Sequence, residues 1–94
     1  SDYLAIGAVM GLKEAGVSVP DDVSLIGFDD MPLGALLTPP LTAIRQPVEQ
    51  LGRQGFQTLL ALLNGETPPL LTRLPVELIR RQSVAAPTRK DFVA

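Results

Sequence analysis

The sequence predicts an α/β fold, and three observations carry that reading. A helical apolar pattern from Asp2 to about Ala15 gives way to a Gly-, Pro- and Asp-rich loop and then to a short, mostly apolar run, Val23-Ser-Leu-Ile-Gly-Phe28. A bounded run of that length is the pattern of a strand buried on both faces of a parallel sheet. A second short strand candidate, Leu41 to Ile44, leads into a long helical repeat. Helix, loop and strand in this order argue for a sheet with right-handed crossovers.

Along the chain, Asp2 is the expected N-cap of the first helix and Gly16 its stop. Ala5, Ala8, Val9 and Leu12 make one apolar stripe, but Leu4, Ile6 and Met10 fall outside it, so the helix is expected to be buried on two sides. Gly7 and Gly11 would admit a close neighbour there, either another subunit or a sheet and helix of the same chain. Gly16 to Asp22 reads as a loop, and the Val23–Phe28 strand ends abruptly at Asp29-Asp30. Met31 to Pro40 reads as a loop by its Pro and Gly content, yet it carries Leu33, Leu36 and Leu37. Three leucines in an exposed loop usually meet a partner. Pro47 suits the first position of a helix running to Leu63, which Asn64-Gly65 closes. After Pro68-Pro69, Leu74, Val76 and Leu78 alternate with Arg73, Pro75 and Glu77, as in a strand at a sheet edge. Beyond Arg80 the chain turns polar, and its last residues read as a loose tail.

Composition sets further bounds. With 46% hydrophobic and 19% charged residues, the 94-residue chain is more apolar than a small free-standing domain needs to be. It opens at Ser1-Asp2 without an initiator Met, and it is expected to be a piece of a larger protein whose apolar surface is covered by other sequence or another chain. The eight cations are dispersed and the formal charge is −2, so DNA contacts are expected only from sequence outside this chain. With no Cys or His there is no disulfide, no thiolate or imidazole metal ligand, and neither the cysteine nucleophile nor the commonest general base. No metal and no cofactor are expected. No apolar run approaches the roughly 18 residues of a membrane span.

The Asp29-Asp30 pair holds the sharpest chemistry. Ligands of open α/β sheets bind outside the carboxyl ends of the strands, and a carboxylate can accept from two neighbouring sugar hydroxyls in strong, charge-assisted bonds. Taken alone, the dipeptide is better explained as a turn or a cap. Glycosidase chemistry is disfavoured, because it needs carboxyls about 5 Å or more apart on either side of the substrate, and neighbouring strand residues point different ways. A serine nucleophile would lack a histidine base, and no glycine cluster has a phosphate-cradling arrangement. The chain is therefore not expected to be an enzyme. Gln46, with both a donor and an acceptor, follows the second strand and suits a hydroxyl-rich ligand, although a polar residue opening a helix is the plainer reading. Arg80-Arg81 is expected to be solvated or paired with an acid.

Four strings in register, from Ser1 to about Val84, resemble the LacI/GalR family of bacterial transcription regulators. Ser1-Asp2-Tyr-Leu-Ala-Ile-Gly-Ala is similar to the family's Asn-Asp and small-residue-rich helix. The family's Gly-to-Asp-Asp signature is matched by Gly16-Val-Ser-Val-Pro20-Asp-Asp22-Val-Ser24-Leu-Ile-Gly27-Phe28-Asp29-Asp30. Pro40-Leu-Thr42-Ala-Ile-Arg-Gln46-Pro47 is followed by Leu51-Gly52, and the match closes on Leu78-Ile-Arg-Arg81-Gln-Ser83. One such string would be weak; four in order are strong.

The resemblance implies part of a periplasmic-binding-protein-like type I two-lobe fold, with parallel sheets flanked by helices and a small ligand between the lobes. It implies that residues 1–46 form a C-terminal-lobe segment, 47–67 a helix given to the N-terminal lobe, 68–84 a return segment and 85–94 a tail. It further implies an effector site containing Asp29, Gln46 and Ser1, the last where the family has Asn. The effector would be a sugar, although Val48 stands where the family often has an aromatic residue. A homodimer is implied through Ile6, Met10, Leu33 and Leu37. So are a cytoplasmic location and operator binding through an N-terminal helix-turn-helix outside this chain. A periplasmic sugar-binding protein of an ABC transporter, sharing the fold, is the alternative.

Overall fold

The computed structural model describes residues 1–88. They divide into two compact units, one formed by Ser1–Arg45 with the described residues from Glu77 onward and the other by Gln46–Val76.

The first unit begins with helix α1, Asp2–Glu14. Ser1, not Asp2, is its N-cap, with the hydroxyl accepting from Leu4 N at 3.5 Å. Asp2 is displaced from capping because its side chain turns inward and is fully buried. Gly16 ends the helix as expected: at φ 72° it adopts a left-handed conformation, its N–H bonding Lys13 O at 3.1 Å while Val17 N bonds Leu12 O at 2.9 Å. Contrary to a helix buried on two sides, only Asp2 and Ala5 of α1 are buried. Strand β1, Ile26–Phe28, packs against α1, while Leu4 and Met10 stand exposed.

Strand β1 is shorter than the Val23–Phe28 run and is not buried on both faces. Gly27 is buried, while Ile26 and Phe28 are exposed. The segment read as a loop after Asp30 contains a short helix, α2, Pro32–Ala35, with proline in its first turn. Strand β2, Thr42–Arg45, pairs parallel to β1 with Ile26 opposite Thr42 and Phe28 opposite Ile44. Strand β3, Glu77–Ile79, pairs antiparallel to β2, so the order is β1-β2-β3 and the small sheet is mixed. The edge position fits the strand reading, but residues 73–76 do not join it, since Pro75 has no N–H to offer a ladder.

The centre of this unit is small and partly polar. Leu41 and Ala43 are fully buried, together with Asp2, Thr42 and Ser83. Each polar group except one oxygen of Asp2 has a partner. Ser83 Oγ donates to Leu25 O at 2.5 Å and accepts from Thr42 N at 2.8 Å, and Thr42 Oγ1 accepts from Arg81 N at 2.9 Å. These bonds tie the approach to β1, the start of β2 and the exit of β3 into one knot. The chain then runs back beside the loop before β1: Ala85 N donates to Ser24 Oγ at 3.0 Å, and Thr88 N to Asp21 O at 3.1 Å. Residues 85–88 are thus held rather than loose, and 89–94 lie outside the described residues.

The second unit is built on helix α3, Val48–Leu63. Pro47 is its N-cap rather than its first helical residue. Asn64 and Gly65, the latter at φ 77°, close it as α1 closes: Gly65 N bonds Leu62 O and Glu66 N bonds Ala61 O at 2.9 Å. Leu51, Gly55 and Thr58 line a shallow groove with Pro69, Thr72 and Leu74. No residue of α3 is buried among the described residues, and Phe56, Leu59 and Leu63 are exposed.

Candidate functional site

Because β1 and β2 run parallel, their carboxyl ends lie at one edge of the sheet. Phe28 sits opposite Ile44, and the next residue, Asp29, donates its N–H to Ile44 O at 2.9 Å. Asp29 is half-buried at this edge. Its φ is 101° and that of Asp30 is 57°, so two successive non-glycine residues occupy positive φ. Sparsely populated backbone of this kind costs about 1–3 kcal/mol per residue and persists only where surrounding contacts over-determine it.

Those contacts can be named. The Asp30 side chain is 4% exposed and lies between two guanidinium groups. Its Oδ1 accepts from Arg81 Nη1 at 2.6 Å, and its Oδ2 accepts from Arg45 Nε at 2.8 Å with Arg45 Nη2 at 2.7 Å. Arg81 also donates to Leu41 O at 2.8 Å. The bond from Arg81 outweighs the opposing effect of burial, and with Arg45 it holds the Asp30 carboxyl below its ordinary value. Arg81 is mostly buried, whereas Arg45 is about half exposed and its ion pair is correspondingly screened.

A third contact comes from α1. Asp2 Oδ2 accepts from Met31 N at 2.5 Å, just past the strained pair and at the start of α2. Its other oxygen is buried without a hydrogen-bond partner. Room for this carboxylate exists because residue 27 is glycine: a Cβ there would collide with Asp2 Oδ1 and lie 2.6 Å from Leu41 Cδ2.

The remaining anticipated residues fall as follows. Gln46 comes one residue after β2, at the carboxyl end from which the chain enters the second unit. Ser1 is exposed, with its hydroxyl turned to the α1 cap. Met10 and Leu33 are exposed, and Ile6 and Leu37 are half-buried. Reasoning from sequence missed the Asp30–Arg45–Arg81 cluster and the inward turn of Asp2. Of the two readings for Arg80-Arg81, solvated or paired with an acid, Arg81 takes the second, and the acid is Asp30.

Chemically, the edge offers a carboxylate on a fixed backbone, suited to accepting from hydroxyls. Among the described residues no group of acidic side chains could hold a metal ion. None of the described helices is long and apolar enough to cross a membrane.

Comparison with known proteins places this edge in context. The periplasmic binding protein-like domain matches residues 1–84. The lactose operon repressor of Rhizobium radiobacter is 38% identical over 88 residues, covering 94% of this chain and 78% of that protein. The transcriptional regulator MalR of Streptomyces coelicolor is 39% identical over 89 residues, 93% of this chain, but the chain spans only 26% of its length. Among solved structures, a lac repressor dimer bound to operator and an anti-inducer superposes with a TM-score of 0.84 at 35% identity, covering 92% of this chain and 30% of that one. A LacI family regulator from Enterococcus faecium with bound ribose gives a TM-score of 0.77 at 40% identity, covering 90% and 32%. The chain belongs to the periplasmic binding protein-like domain family, and within it to the LacI/GalR transcriptional regulators rather than the transport receptors.

Proposed function

We propose that the chain is the effector-binding and dimerisation part of a cytoplasmic, non-enzymatic LacI/GalR regulator. Its effector is a sugar, and operator DNA is bound by a helix-turn-helix outside these residues. Asp29 takes the effector's hydroxyls, with Gln46 and Ser1 as further ligand contacts. The observation that carries this is the placement of Asp29 at the carboxyl end of a parallel strand, its N–H bonded to the neighbouring strand, where open α/β sheets receive ligands. The ribose bound to the Enterococcus faecium regulator supports the ligand class. The solved lac repressor dimer supports homodimerisation, for which Ile6, Met10, Leu33 and Leu37 supply apolar surface. Effector binding acts by favouring one of two conformations, to the extent that its affinity for them differs.

The test is calorimetric titration of the full-length regulator with ribose, xylulose and lactose, repeated with Asp29→Ala. We expect one of these sugars to bind and the substitution to weaken it at least about 100-fold, as loss of a buried charge-assisted contact does. Unchanged affinity in the variant would remove Asp29 from the site.

A further inference from the structure

Asp29 is the proposed ligand residue, but its neighbour Asp30 makes the structural investment. A carboxylate 4% exposed, held by one arginine that closes β2 and another that follows β3, is a costly arrangement at a strand end. The same three strands are joined elsewhere by the knot around Ser83 and Thr42, so the bridge is a second tie, placed at the strand end. What the cluster adds is a hold on the side chain of Asp30, which with Asp29 stands at positive φ. That dipeptide is gripped by Ile44 O on the Asp29 amide, by Arg45 and Arg81 on the Asp30 side chain, and by Asp2 on the Met31 amide.

We infer that Asp30 is a positioning residue for effector binding: its bridge to Arg45 and Arg81 holds Asp29 in the strained conformation that presents the Asp29 carboxylate to the ligand. The inference rests on the reading of Asp29 given above. Arg45 is also the residue directly before Gln46, so the same bridge fixes the strand end from which the second proposed ligand residue emerges. A strained residue released from its clamp relaxes to a commoner conformation, and the preorganised carboxylate is lost with it.

The experiment is hydrogen exchange resolved to single amides in the full-length regulator, comparing wild type, Asp30→Asn and Arg45→Gln, with ribose, xylulose and lactose each titrated into the same samples. Arg45→Gln alters a half-exposed side chain and leaves the Arg81 bridge in place, so it keeps the test informative should Asp30→Asn fail to fold. We expect the Asp29 and Met31 amides to exchange about 10-fold faster in Asp30→Asn and about 3-fold faster in Arg45→Gln, while the Leu25 amide, bonded to Ser83 O, keeps its rate. Affinity for whichever of the three sugars wild type binds should fall about 10-fold in Asp30→Asn. Unchanged exchange at Asp29 in both variants overturns the inference. So does an equal rise at Leu25, which would make Asp30 a general stabiliser, and so does undiminished binding of that sugar in Asp30→Asn. If wild type binds none of ribose, xylulose or lactose, it is the effector reading that fails. The exchange rates then still decide whether Asp30 holds Asp29.

Discussion

Adjacent aspartates at one strand end face the same solvent in the sequence and opposite fates in the fold. Asp30 is enclosed by Arg81 and Arg45, which hold its carboxyl below the ordinary value of about 3.8. An acid whose pKa is lowered by folding binds its proton more readily in the unfolded chain. Its contribution to stability is therefore complete above the ordinary value and is lost as pH falls through the lower, folded one. We expect the stability difference between wild type and Asp30→Asn, from urea unfolding, to be constant from about pH 7 to about pH 5 and to shrink below about pH 4. A difference that stayed constant under acid would show that the charge contributes nothing. The place of Asp29 at a strand end could be read from sequence because it lies in local order: apolar strand, then acid. Asp30 could not, since its partners lie 15 and 51 residues away and one of them follows the antiparallel strand.

At the level of elements, the packing of α1 against β1 depends on an absent side chain. Gly27 faces the buried Asp2 carboxylate and Leu41, and a methyl group there has no space. Neither obstacle is the free end of a surface chain, because both residues are fully buried. Gly27→Ala should cost about 2–3 kcal/mol in thermal or urea unfolding, in the range of overpacked cores. Gly34→Ala is the control. Its added methyl would meet Leu41 and Asp2 at 3.5 Å or more, an ordinary contact, and should cost less than about 1 kcal/mol. Equal effects would mean that α1 shifts to make room. The same region explains what was legible. α1, β2 and α3 were readable from periodicity and end signals, because Gly16 and Gly65 stop their helices by backbone geometry alone. The choice of Ser1 over Asp2 as cap was not, because it is decided by the bond from Asp2 to Met31, 29 residues on. Helix α2 has only four residues, too few for a period to show. The Ile26 and Phe28 side chains read as core from sequence and stand exposed here, on either side of the buried Gly27.

For the molecule as a whole, the distribution of apolar surface is the governing fact. In the first unit, Leu4 and Met10 on α1 and Leu33 and Leu36 beside α2 are exposed on elements whose inner sides are already engaged with Leu41 and β1. Exposed apolar side chains of this kind are surface that a partner can cover. The proposed homodimer would cover it, and it would do so with side chains that the core of the unit does not need. That separation makes a clean test possible. Met10 and Leu33 are 60% and 48% exposed, so an acid at either position is tolerated by the unit itself. In a dimer formed through this surface the acid would be removed from water with no opposite charge supplied for it. Met10→Asp with Leu33→Asp in the full-length regulator should raise the dimer dissociation constant about 100-fold or more, measured by sedimentation equilibrium. Circular dichroism should be unchanged, and sugar binding at Asp29 should survive in the monomer if the effector site and the interface are separate surfaces. A regulator that stayed dimeric with both acids in place would assign these residues to packing within one chain, and the interface would have to be sought on another face.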